Sequence, residues 1–197
     1  MTAVPVAERM TAEDFLALPQ SERGWPRSLV EGEVVVNERT LLHGDVVGDL
    51  YLALTTWTGG APGRGKATLP IDVQLDERNV FAPDVLWYAE GRAPARLDPR
   101  PYAMPDLAVE VRSASTWRYD VGAKRSRYER HGLPELWLVD TAAETVILFR
   151  RSQPRTPTFD LSLELSREDE LESPRLPGFA LVLAQLFPHS AEFPPGG

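Results

Sequence analysis

"DLAVEVRSASTWRYDVGAKRSRYERHG", residues 106–132, runs from an apolar strand into a charged, helix-forming segment, and how it is read decides the fold. In a strand alternate side chains share a face, so Leu107, Val109 and Val111 point one way and Ala108, Glu110 and Arg112 the other. The first set makes a core. The second displays Glu110 and Arg112 on the outward side of the strand, to be met by the next helix or by a ligand. Asp120 is placed to cap a helix over 121–131, and Gly132 with Pro134 supplies its stop. Along that helix Asp120, Lys124 and Tyr128 recur every four residues and line one stripe, with His131 seven residues beyond Lys124. The chain has only two lysines against nineteen arginines. A lysine able to swing over Glu110 is therefore informative, because a compact ammonium suits orienting a water or offsetting phosphate charge better than a guanidinium does.

Working outward, "FAPDVLWYA" (81–89) reads as the preceding strand, and the sheet begins at "ATLPIDVQLD". The Pro- and Arg-rich stretch 90–105 joins 81–89 to 106–113 as a long surface loop, placed to close over a site. Nearer the N-terminus, Thr11 with Glu13 and Asp14 opens a short helix that Pro19 ends. "SLVEGEVVVN" (28–37) has strand character with a turn at Gly32, which makes an added hairpin. Helical spacing of Leu42, Val46, Leu50 and Leu54 marks a helix over 42–57. After Gly132, "ELWLVD" and "TVILFR" form a buried strand with its hairpin partner, with Trp137 in the core. "FDLSLEL" adds a C-terminal strand, and "GFALVLAQLF" a last packing segment. The expectation is one α/β domain over 1–190, a mixed sheet flanked by helices, with a disordered tail at 191–197.

Composition narrows the chemistry. There is no cysteine, and the three histidines, His43, His131 and His189, are too scattered for a zinc pattern. Any metal is then held by oxygen or imidazole, which favours a hard cation, Mg²⁺ or Mn²⁺. No apolar run approaches the roughly 18 residues of a membrane span, and the N-terminus lacks the pattern of a signal peptide, so a cytoplasmic protein is expected. The formal net charge of −8 argues against general grip on nucleic acid, leaving Arg118, Arg125, Arg127 and Arg130 with Lys124 as the one basic cluster for phosphate. Trp117 has two readings, a base-stacking platform or a cover for the sheet edge.

Phosphodiester chemistry on a metal needs two carboxylates converging on one ion and a cation near the attacking water. Asp84 and Glu110 are the natural pair, near equivalent places on consecutive strands that stand about 4.8 Å apart. Asp106 is excluded, because four residues of strand put it about 13 Å from Glu110. Ser113, Ser115 and Thr116 organise the turn before the helix, since no base is positioned to activate them.

Pro83-Asp84 followed by Glu110-Val111-Arg112 resembles the PD-(D/E)xK nuclease motif, with arginine where lysine usually stands. The wider series, "VEGE" at 30–33, His43, "PDV" at 83–85, "EVRSAST" at 110–116, then Asp120, Lys124, Tyr128 and "GLPELWLVD" at 132–140, is similar to the Uma2 family of restriction-endonuclease-like proteins. The resemblance spans roughly residues 10–187. It implies a restriction-endonuclease-like α/β fold, metal binding by Asp84, Glu110 and the Val111 carbonyl, and Lys124 in place of the lysine missing at 112. It also gives weight to Glu33 and His43 as further site residues beside Arg112, Asp120 and Tyr128. His43 would be a supporting donor or a substrate contact. The implied function is a Mg²⁺-dependent endonuclease acting on nucleic acid, DNA first, as a homodimer. The alternative is a non-catalytic DNA- or protein-binding assembly protein that keeps the fold.

Overall fold

The computed structural model describes residues 9–19 and 27–187; His189 and the 191–197 tail lie outside them. The central element is β7 (Leu107–Val111), and all five of its residues are buried. Its neighbours are β6 (Val85–Tyr88), antiparallel, and β8 (Glu135–Asp140), parallel. With β3 (Lys66–Thr68), β9 (Thr145–Arg150) and β10 (Leu161–Leu165) they make a six-stranded mixed sheet in the order β10-β9-β8-β7-β6-β3. Strands covered on both faces need apolar residues at nearly every position, and "LAVEV" and "ELWLVD" supply them.

One face carries Val85, Trp87, Val109, Val111, Trp137 and Val139 against helix α2 (Leu41–Gly59) and the C-terminal segment. That segment contains β11 (Glu170–Glu172) paired with β12 (Ala180–Val182), followed by a 3₁₀ turn, Leu183–Gln185. The other face, with Ala108, Leu136 and Leu138, is covered by Tyr128 and Leu133 and by Val30, Val35 and Phe81 of a second sheet. This four-stranded sheet has the order β2-β1-β5-β4, from β1 (Arg27–Val30), β2 (Glu33–Val36), β4 (Val73–Asp76) and β5 (Asn79–Phe81). Helix α1 (Ala12–Ala17) packs Phe15 against Leu29 and Val80 of that sheet. The expected mixed sheet flanked by helices, with an added N-terminal hairpin and C-terminal strands, is the observed architecture.

Three local expectations change. The 81–89 strand is two strands in two sheets, because Ala82-Pro83 cannot continue the ladder and the chain crosses between layers there. The helix after β7 begins at Trp117, not 121. It comprises α3 (Trp117–Tyr119), a π-helical segment Asp120–Lys124 and α4 (Arg125–Arg130), with Thr116 at its N-cap. Asp120 is therefore inside the helix and caps nothing; its Oδ2 accepts from Thr116 Oγ1 at 3.0 Å. Gly132, at φ 83°, ends the helix as expected, with Leu133 N–H bonded back to the Tyr128 carbonyl. The 90–105 loop is tied to the far end of β7 through Arg92 to Asp106, and to the residue before β4 through Tyr102 N–H to the Asp72 carbonyl at 2.8 Å. It does not close over Glu110.

Candidate active site

The register Val85↔Val109 sets Asp84 beside Glu110, where β6 starts and β7 ends. Glu110 is the one charged residue of β7, and it is 2% exposed rather than displayed to solvent, because the helix of 117–130 lies over it. Its Oε2 accepts from Lys124 Nζ at 3.0 Å and its Oε1 from Tyr128 Oη at 2.8 Å. Lys124 Nζ also pairs with Asp120 Oδ1 at 2.8 Å. The helical stripe of Asp120, Lys124 and Tyr128 thus points inward as a unit, and the widened π turn carries the first two.

Asp84 is held differently. Its Oδ2 accepts the Val111 amide at 2.9 Å, and its Oδ1 accepts Arg39 Nη2 at 2.8 Å. His43 Nε2 stands 3.3 Å from Oδ2. His43 sits in the first turn of α2, whose N-cap Thr40 accepts the His43 amide, so the capping residue fixes both Arg39 and His43 at this corner. A residue in a strand directs its N–H and C=O to the same side. The amide bond to Asp84 therefore turns the Val111 carbonyl toward Asp84 as well.

The cluster is rich in negative charge. Three carboxylates, Asp84, Glu110 and Asp120, face two cations, Lys124 and Arg39. Burial pushes the Glu110 carboxyl up to about 8; Lys124 opposes this, while Asp120 and Asp84 add to it and the Tyr128 bond works against it. Burial alone would lower Lys124, but Asp120 and Glu110 outweigh it and hold the ammonium above its ordinary value. Tyr128 is raised well above its usual range by burial and by the Glu110 charge, so its hydroxyl is a neutral donor.

Among the described residues no three His, Asp or Glu side chains form a group that would hold an ion unaided. Two carboxylates with one carbonyl are instead an all-oxygen half-shell, the set that a small hard cation retaining several waters takes. On that chemistry the residues fit Mg²⁺ or Mn²⁺, and a bound divalent cation would bring the Glu110 carboxyl back down from the value to which burial raises it.

The remaining sequence candidates lie around this centre. Arg112 turns to β8 and grips both oxygens of Asp140, at 2.9 and 2.8 Å, with Trp117 against its guanidinium. Glu33 accepts from Tyr119 Oη at 2.8 Å, and no contact it makes among the described residues reaches Asp84 or Glu110. Of the basic cluster, Arg127 pairs with Glu31, Arg125 lies over Phe149 and Arg118 over Tyr119. Arg39 was not singled out from sequence. Only its place just before the Thr40 cap hinted at it, and nothing local links it to Asp84.

A restriction-endonuclease-like sheet with a buried carboxylate pair at the meeting ends of two adjacent strands defines the class of nuclease-fold proteins. The chain belongs to the Uma2 family: the family model described as "Putative restriction endonuclease" matches residues 12–184. Among solved structures the chain is similar to one described as "a putative nuclease belonging to DUF820" from Anabaena variabilis. The two are 18% identical, the match covers 90% of this chain and 97% of that one, and the TM-score is 0.73. No curated protein matches the chain. Among the described residues no helix is long and apolar enough to cross a membrane.

Proposed function

We propose that the protein is a metal-dependent endonuclease that hydrolyses phosphodiester bonds by water attack, with DNA as substrate. Asp84, Glu110 and the Val111 carbonyl would hold Mg²⁺ or Mn²⁺. The observation that carries this reading is Glu110, a buried carboxylate aligned between Lys124 and Tyr128 and set beside Asp84. Three carboxyl groups buried beside two cations make ionisation of the third costly, an arrangement with no use in a purely structural core. The bound ion would polarise a phosphoryl oxygen and acidify a water. Tyr128 and Lys124 fix both oxygens of Glu110 in orientation. Because Asp120 keeps Lys124 protonated, Lys124 serves as a fixed positive charge that orients the nucleophile and offsets phosphate charge, and not as a proton acceptor. His43 and Arg39 steady Asp84. A cytoplasmic homodimer belongs to the same proposal, and light scattering on the eluted protein reads the oligomer directly.

A second reading, a non-catalytic DNA- or protein-binding assembly protein that keeps the fold, draws on one observation. Both Asp84 and Glu110 already have a cation, Arg39 and Lys124, within 3.0 Å. Cleavage of single- and double-stranded DNA with Mg²⁺ or Mn²⁺ at low salt separates the two. Wild type cleaves and Glu110→Gln is reduced by at least about a hundredfold on the nuclease reading. An inactive wild type, with DNA retained in a binding assay, favours the second.

A further inference from the structure

The carboxylate cluster is closed on every side but one. The side chains of Glu110, Lys124, Asp120 and His43 are all 5% exposed or less, whereas Arg39 is 21% exposed and reaches Asp84 from the surface. Arg39 belongs to the short connection 37–40 between β2 and α2. That connection is held to the turn after β7 by one serine: Glu38 N–H donates to Ser115 Oγ at 3.1 Å, and Ser115 Oγ donates to the Val36 carbonyl at 3.2 Å.

The same corner contains unmet hydrogen-bonding capacity. Asn37 Oδ1, Arg39 Nε and His43 Nδ1 are buried without a hydrogen-bond partner among the described residues, and His43 Nε2 has only the long 3.3 Å approach to Asp84 Oδ2. Folded proteins rarely leave such atoms unpaired. His43 is 1% exposed and directed at Asp84. The unpaired atoms of Arg39 and His43, the two residues set against the Asp84 carboxylate, point to an arrangement of 37–40 in which another group completes them. A guanidinium in contact with Asp84 Oδ1 also repels any second cation that approaches the same oxygen, and does so strongly where water is largely excluded.

We propose that Arg39 is a displaceable latch on the site: it neutralises Asp84 until a divalent cation takes the carboxylate, and then swings outward with 37–40 to face the incoming phosphate. The inference rests on the reading of Asp84 and Glu110 as ion-binding residues and adds to it the residue that competes for the position. A planar guanidinium suits both roles, since it matches a carboxylate and a phosphate equally well.

The test is Mn²⁺ binding without nucleic acid, followed by loss of the electron paramagnetic resonance signal of the free ion, on full-length folded protein. Arg39→Gln and Arg39→Ala should bind Mn²⁺ about fivefold or more tightly than wild type, because a competing charge is gone. Arg39→Lys, which retains the charge, should stay within about twofold of wild type. Asp84→Ala should lose the binding. If Arg39→Gln and Arg39→Ala match wild type or bind more weakly while Asp84→Ala loses binding, the latch is wrong and the ion site stands. If Arg39→Lys tightens as much as Arg39→Ala, charge competition is refuted. If neither wild type nor any Arg39 variant binds Mn²⁺, the latch falls together with the ion site.

Discussion

Glu110 titrates out of step with an unfolded chain, and that makes it measurable. In the unfolded protein it loses its proton near the ordinary glutamate value, whereas in the folded protein burial holds the proton on until about pH 8. Between those limits the folded state binds one more proton than the unfolded state. The stability that this proton contributes is complete below the ordinary value and is lost as pH rises through about 8. Glu110→Gln, which keeps the shape and cannot ionise, should remove that slope. Its stability relative to wild type should rise by several kcal/mol between pH 5 and pH 8.5. Urea denaturation at a series of pH values reads this, and parallel wild-type and Glu110→Gln profiles would refute the burial argument.

At the scale of elements, two glycines test how the site's scaffold is built. Gly48 lies on the exposed side of α2, where an added Cβ meets nothing within 4 Å, so Gly48→Ala should raise stability by about 0.5–1 kcal/mol. Gly65, at φ 71°, would put a Cβ 2.0 Å from the Tyr88 carbonyl oxygen. Gly65→Ala should therefore lower the melting temperature by several degrees and loosen β3 from β6, measured by thermal unfolding. The strands and helices themselves were legible from apolar periodicity, because Val109 and Val111, Val139 and Leu50 and Leu54 bury as their spacing requires. Period alone says which residues share a face and not what covers it, which is why Glu110 read as displayed when it is sealed under Tyr128. The helix start was ambiguous for a similar reason. Ser113, Ser115, Thr116 and Asp120 are all good capping residues, and packing over β7 chooses Thr116. The pairing of Lys124 with Glu110 could be anticipated from spacing along the helix. Arg39 could not, since it and Asp84, 45 positions apart, are brought together only by the docking of α2 on the sheet.

For the whole molecule, the C-terminal segment closes the core that carries the site. Phe179 stacks on Trp137 at 5.9 Å and meets Trp57 edge-on at 6.3 Å. Glu135, fully buried, binds Trp137 Nε1, Arg150 and Ser173 Oγ, so β8, β9 and the turn before β12 share one anchor. Phe179→Ala should cost about 3–5 kcal/mol, checked by chemical denaturation, because the cavity opens against the central strands and the C-terminal cover cannot collapse into it. The site has a reach of similar breadth: Arg39 and His43 precede α2 or open it, Asp84 starts β6, Glu110 ends β7, and Asp120, Lys124 and Tyr128 follow on the next helix. Synthesis delivers these parts one at a time. A nascent chain that has released Asp84 still lacks its partner carboxylate, and one that has released Glu110 still lacks the lysine and tyrosine that orient it. Until residue 128 has cleared the ribosome the chain carries no assembled cluster.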